Sequence, residues 1–390
     1  MRILHRYILR DMSKALGLAL AAVSGVVSFG LVLPALQEYG LGPLNSLLYM
    51  ALAMPRAVYL ALPLAAALAG SLVYGRLASE NELMACRASG VPRWSLFWPT
   101  LLLALAAGAV TLLLGAWPLP ASKYAAKRLA KADPKRLLMS KLSTTGKFRY
   151  DQANFQLTVD RVVGNMLYGP MVKYTREGGA IYCYAPYGRP EFGDSNDRVR
   201  VYMEDAMVLE ESKTKTEPLR CTHVFTLRLP THLPRDEDEM SLWHLMAAQN
   251  HPEITDRFKR LSADASPDAK RRMQQTVRAR VLAELHGRLA LAGGCFGLVL
   301  VGAGLGMYFH SGHLLTAFGV ALAPWFGAYY VTSLAVKTVE RAVEHPEDEL
   351  YLIWTPNFAV PLLGLALLAY LSWVWSSPVR LRDLLRRRPR

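Results

Sequence analysis

The chain has 390 residues, a formal net charge of +14 and 52% hydrophobic residues. Its apolar residues are gathered into long charge-free runs, which excludes a single soluble globular domain. The basic residues of the short connections flank those runs, so the excess charge marks membrane topology and not nucleic-acid binding.

Six runs carry no Asp, Glu, Lys or Arg: residues 15–36, 57–75, 94–122, 289–309, 314–336 and 350–379. Each is long enough, or nearly so, for the ~20 residues that cross a hydrocarbon core. The first is preceded by Arg2, Arg6, Arg10 and Lys14, as in a secretory signal. Its length and the missing small-residue cleavage site make it an uncleaved span. Within residues 1–14, Ile3, Leu4, Tyr7, Ile8 and Met12 stand against the arginines, the pattern of a helix lying in the headgroup layer. A basic anchor without structure is the alternative.

The second and third spans are joined by Ser79-Glu80-Asn81-Glu82-Leu83-Met84-Ala85-Cys86-Arg87-Ala88-Ser89-Gly90. Ser79 and Glu82 have the spacing of a capping box, and Gly90 with Pro92 supplies the stop. A capped acidic helix is therefore expected at residues 79–90, where a plain turn would suffice. Two readings stand for Glu82: a cap only, or a contact for a soluble partner.

Residues 123–288 are polar, with 29 Lys+Arg and 21 Asp+Glu, and long enough for a core of their own. Lys123, Lys127 and Lys131 open this region at helical spacing, a solvated face or a lipid-headgroup contact. Alternation then predicts strands around Phe155, Ile181, Val199 and Val224, with turns at Gly169-Pro170, Gly178-Gly179, Gly188-Arg189-Pro190 and residues 193–196. Several short strands at this spacing indicate an antiparallel sandwich or barrel. Ser241 is placed to cap a helix, and another is expected from about Asp268 to the fourth span. Cys183 and Cys221 fall in this region, where a disulfide and two free thiols are both open.

Residues 1–14, 76–93 and 380–390 hold thirteen Lys/Arg, whereas 37–56 and 337–349 hold three. The positive-inside rule then puts both termini and the 79–90 helix in the cytoplasm and residues 123–288 outside.

No G-x-x-x-x-G-K-[ST] sequence is present, and the spans offer only weak polar groups such as Ser24, Ser71, Thr111, Thr332 and Asn357. Energy for transport would have to come from another chain. His310-Ser311-Gly312-His313 has too few ligands for a metal, and no nucleophile motif occurs. No metal, cofactor or catalytic residue is expected. Glu284 and Arg288 are spaced i, i+4 just before the fourth span, either as an anchor or as part of a lipid route. Glycines 293, 297, 302 and 306 permit close helix packing, within the chain or with another subunit.

Taken together, these residues resemble the LptF/LptG permeases of the lipopolysaccharide export transporter. The 79–90 segment is similar to that family's coupling helix, with one extra residue that aligns Glu82 with the family's glutamate. Glu284-Leu285-His286-Gly287-Arg288-Leu289 and Trp354-Thr355-Pro356-Asn357 are similar to the openings of its fourth and last spans. The resemblance implies an α-helical polytopic protein of the bacterial inner membrane, with six transmembrane helices and an inserted periplasmic all-β jellyroll-like domain. Its parts would be residues 1–122 (inner-surface helix, three spans and the coupling helix), 123–288 (periplasmic domain), 289–379 (three spans) and 380–390 (basic cytoplasmic tail). It implies a non-catalytic subunit driven by an LptB-like ATPase dimer that uses the ATP. The implied partners are a second LptF/LptG-type permease and LptC/LptA-like bridge proteins. Glu80, Glu82, Arg87 and Gly90 would couple to the ATPase. Arg56, Glu284 and Arg288 are the substrate-side candidates. The family's basic residues after the first span are replaced here by Gln37 and Glu38, so the substrate is lipopolysaccharide or a related glycolipid. The alternatives are another lipid- or lipoprotein-extracting permease, a membrane-embedded lipid-modifying enzyme, and a scaffold.

Overall fold

A computed structural model describes residues 2–39, 43–130, 134–150, 155–176, 179–192, 198–210, 219–228, 234–262, 266–309, 314–342 and 346–376. The His310–His313 loop and the basic tail lie outside these residues, as do the side chains of Gln37, Glu38, Arg87 and Cys221. The chain divides into two compact units. One comprises Met1–Ser28, Met54–Lys123 and Arg235–Arg390; the other comprises Phe29–Ala53 and Tyr124–Pro234.

In the first unit, the expected headgroup helix and first span are a single helix, α1 (Arg2–Tyr39). Ile8 and Met12 are fully buried in a cluster with Leu77, Leu83 and Leu96, so the start of α1 is part of the packed body. Then follow α2 (Pro43–Ser79), α3 (Glu82–Ala88) and α4 (Arg93–Ala116). α5 (Pro118–Ala130) and α6 (Pro134–Thr145), which belong to the second unit from Tyr124 onward, precede the sheet in the chain. Beyond it lie α7 (Leu242–Asn250), α8 (Asp256–Leu261), α9 (Pro267–Tyr308), α10 (Leu314–Arg341) and α11 (Leu350–Ser376). Ser241, Thr255 and Ser266 cap α7, α8 and α9 by accepting a backbone N–H. Among the described residues, five helices are long and apolar enough to cross a membrane: α1, α2, α4, α9 and α11. The expected fifth span lies in the 28-residue α10.

α9 is the centre of this unit. A Cβ on Gly302 or Gly306 would overlap the carbonyl oxygens of Ala67 and Ser71 on α2. On α11, Pro361 Cδ lies 2.5 Å from where a Cβ on Gly297 would be; on α4, a Cβ on Gly108 would stand 2.9 Å from the Ala292 carbonyl. The small-residue spacing of α9 thus serves packing inside the chain, because only glycine lets these backbones meet.

In the second unit, nine strands form one antiparallel sheet. They are β1 (Lys147–Tyr150), β2 (Phe155–Thr158), β3 (Arg161–Val163), β4 (Met166–Tyr168), β5 (Met171–Arg176), β6 (Gly179–Tyr184), β7 (Tyr187–Phe192), β8 (Arg198–Glu210) and β9 (Leu219–Arg228). The order is β1-β2-β5-β6-β8-β7-β4-β3, with β9 also on β8. β2 with β3, β4 with β5 and β6 with β7 follow one another directly, so each pair is one long strand broken in the middle. The breaks fall at Val159-Asp160, Gly169-Pro170 and Ala185-Pro186 and are stitched together: Asp160 N–H donates to Tyr168 O, Gly169 N–H to Pro186 O and Ala185 N–H to Pro170 O, each at 3.0 Å. β8 runs through the same line with a bulge between Met203 and Ala206, where Asp205 has φ 57°. A simple meander is thereby folded along a crease.

The buried side of the folded sheet carries Phe155, Leu157, Leu167, Val172, Cys183, Val201 and Met203, joined by Leu138 and Leu142 of α6. Gly188-Arg189-Pro190, expected as a turn, lies in β7. Gly188 admits Pro170 of the neighbouring break, and Pro190 stands past the β4 pairing, where its missing N–H leaves no ladder bond unmade. Cys183 is fully buried in the core of the sheet. Its strand and that of Cys221 pair with β8 at Val208 and Ala206. The Cys221 side chain lies outside the described residues, and the bridge stays as open as the sequence left it.

Candidate functional site

The turn between α2 and α4 is built differently from a simple cap. Ser79 is still helical, and its hydroxyl donates back to the Arg76 carbonyl (2.9 Å). The expected Ser79–Glu82 capping box therefore does not form. Asn81 ends α2 by adopting φ 59°, a conformation Asn tolerates, and its carbonyl accepts the Ala85 N–H that starts α3. Gly90 (φ 81°) closes α3, with Val91 N–H returning to the Cys86 carbonyl.

Glu82 is consequently free of capping duty. Its carboxylate accepts a hydrogen bond from the Tyr7 hydroxyl of α1 at 3.4 Å. Arg76 donates to the same hydroxyl (3.2 Å), forms an ion pair with Asp11 of α1 and lies 3.9 Å from the Glu80 carboxylate. His5 of α1 is hydrogen-bonded to Ser95 of α4 (2.8 Å). Under this polar layer, Leu83 turns into the cluster containing Ile8 and Met12, while Met84, Ala85 and Ala88 face outward. Tyr74 secures α4 by donating to the Leu96 carbonyl (2.6 Å) and stacking on Phe97. The turn thus presents one exposed face on a base tied to α1.

Sequence reasoning missed Tyr7, Asp11 and Arg76. A signal was present, because Asp11 is the one acid among the four basic residues of 1–14.

Glu284 and Arg288 are brought together as spaced, and the bonds of Arg288 run to the protein's own backbone. Arg288 is 3% exposed. Its Nε donates to Glu284 (2.8 Å), Nη1 to the carbonyls of Gly115 (3.0 Å) and Met240 (2.8 Å), and Nη2 to that of Asp238 (3.0 Å). The guanidinium ties the end of α4 and the start of α7 to α9. The neighbouring acidic run is absorbed too. Asp236 and Glu239 cap each other's turn, Glu237 pairs with Arg257 (2.9 Å) and Asp238 with Lys123 (3.4 Å). Arg56 is exposed on α2.

The Trp354–Asn357 segment clamps α11 to α9. Trp354 Nε1 donates to His286 Nδ1 (3.1 Å), and Asn357 Nδ2 to the Ala290 carbonyl (2.9 Å).

The arrangement has the features of a machine part: a multi-helix membrane body, a folded β-sheet, and a polar turn anchored to the first helix. A search of curated proteins returns no match. The family model for the lipopolysaccharide export system permease LptF/LptG matches residues 6–370. That match spans nearly the whole chain, through the membrane helices and the inserted sheet alike, and on it the chain belongs to the LptF/LptG permease family, whose members are transporter subunits and not enzymes.

Proposed function

We propose that this chain is the permease subunit of an ABC-type transporter that extracts lipopolysaccharide or a related glycolipid from the inner membrane, driven by a separate LptB-like ATPase. The observation that carries this reading is the α2–α4 turn, where Glu82 is released from capping while α3 keeps an exposed face. In this reading the chain has six spans with α10 as the fifth, both termini are cytoplasmic, and the creased sheet is a periplasmic jellyroll-like domain. Glu80, Glu82, Arg87 and Gly90 meet the ATPase, and no cofactor is held by this chain. Arg56 is the substrate-side cation, whereas the bonds of Glu284 and Arg288 favour their anchoring role. A second LptF/LptG-type permease completes the lipid path, and LptC/LptA-like proteins receive the lipid.

The test is Glu82→Arg in the full complex. The variant should insert and melt as the native chain does, yet fail to co-purify with the ATPase and fail to export glycolipid. Normal co-purification together with normal export would sink the coupling role.

A further inference from the structure

The polar layer above Ile8 and Met12 joins three elements through one guanidinium. Arg76 of α2 contacts Asp11 and Tyr7 of α1 and Glu80, and Tyr7 passes the contact to Glu82 of α3. Isolated surface ion pairs contribute little. This one differs in that the Asp11 side chain is only 16% exposed and sits among several linked groups. Below it, Leu83 of α3 and Ile8 and Met12 of α1 share one close-packed cluster, which transmits displacement because packed side chains do not compress.

We infer that Tyr7, Asp11 and Arg76 are positioning residues that latch α3 to α1, so that a push on α3 from a docked ATPase is passed into the first membrane helix. This rests on the proposed coupling function and adds the route by which the stroke enters the membrane. Glu82 accepts from the Tyr7 hydroxyl in a long bond at 3.4 Å. Tyr7 in turn accepts from Arg76, and Arg76 pairs with Asp11, so a displacement of α3 reaches α1 through Tyr7 and through the packed Leu83 together.

The experiment uses the whole complex in vesicles of native lipid, with Asp11→Arg, Arg76→Asp, the double exchange and Tyr7→Phe. ATP hydrolysed and glycolipid extracted are measured together. Each charge reversal should leave ATPase co-purification and basal hydrolysis intact, yet lower the lipid extracted per ATP by about fivefold or more. The double exchange should recover it, an outcome that generic loss of folding does not produce. Tyr7→Phe removes one oxygen without disturbing the fold and should lower the same ratio to a smaller degree. Unchanged ratios in both reversals, or a double exchange no better than either single change, would overturn the latch. If the native complex neither holds an ATPase nor extracts glycolipid, the proposed function fails and the latch with it. Native extraction alongside normal variants removes the latch alone.

Discussion

A guanidinium buried next to a membrane span has to satisfy its donors from within the protein, since neither lipid nor water is at hand. Arg288 does so with one carboxylate and three carbonyls drawn from separate segments. Lysine carries the same charge, but as a single point without the planar fork. Arg288→Lys should therefore destabilise the chain by about 3 kcal/mol, close to the cost of breaking a buried pair. Arg288→Met removes every donor and leaves Glu284 and three carbonyls unpaired, and should cost more than Arg288→Lys. Glu284→Gln keeps an acceptor but leaves the buried guanidinium without its countercharge, and should cost about as much as Arg288→Lys. Thermal unfolding in detergent orders the three, and a native melting temperature for Arg288→Lys would refute the anchor. The pair was legible as i, i+4, with an anchor as one of its two readings, but the partners of the guanidinium were not. Spacing reports which side chains can meet, whereas the three carbonyls come from segments far away in the chain. Glu82 shows the reverse: its capping spacing was correct, yet Asn81 intervened, because a residue at φ 59° moved the helix start past Ser79.

At the level of elements, glycines in the same chain do opposite things. Gly302 and Gly306 stand against α2 backbone, while Gly17 and Gly25 of α1 have nothing within 4 Å of the point where an added methyl would stand. Gly302→Leu should force α2 and α9 apart and cost about 1–3 kcal/mol or more. Gly25→Ala should be neutral or slightly stabilising, by up to about 1 kcal/mol of helix propensity. Melting temperatures of the two variants in one detergent give the comparison, and equal shifts would contradict it. The apolar runs were readable because a span announces itself by composition alone. Strand positions near Phe155, Ile181, Val199 and Val224 were readable from alternation. The crease was not, since Gly169-Pro170 in a strand pattern reads as a hairpin turn. Here the chain continues in the same direction after it, because the neighbouring strands break at the same level and bond across the gap. The bend is a property of adjacent strands together, which single-strand patterns do not carry.

For the whole molecule, the family match states the class of machine, and the folded chain shows where its rigidity lies. Helices of the membrane body meet α9 by backbone approach on several faces, whereas α1 and α10 keep large apolar side chains such as Phe29, Phe326 and Tyr330 exposed. Lipid or another membrane chain covers such surfaces in a bilayer. α9 itself is 42 residues long, about 63 Å at 1.5 Å per residue, roughly twice the hydrocarbon thickness. Its charge-free stretch begins at Leu289, directly after the residue whose donors are spent on protein carbonyls. An arginine held this way cannot snorkel, so it locks the register of α9 against α4 and the turn before α7. α9 is then unable to slide by itself to suit a thicker or thinner bilayer, and a mismatch falls on the surrounding lipid or on the helical body as a whole.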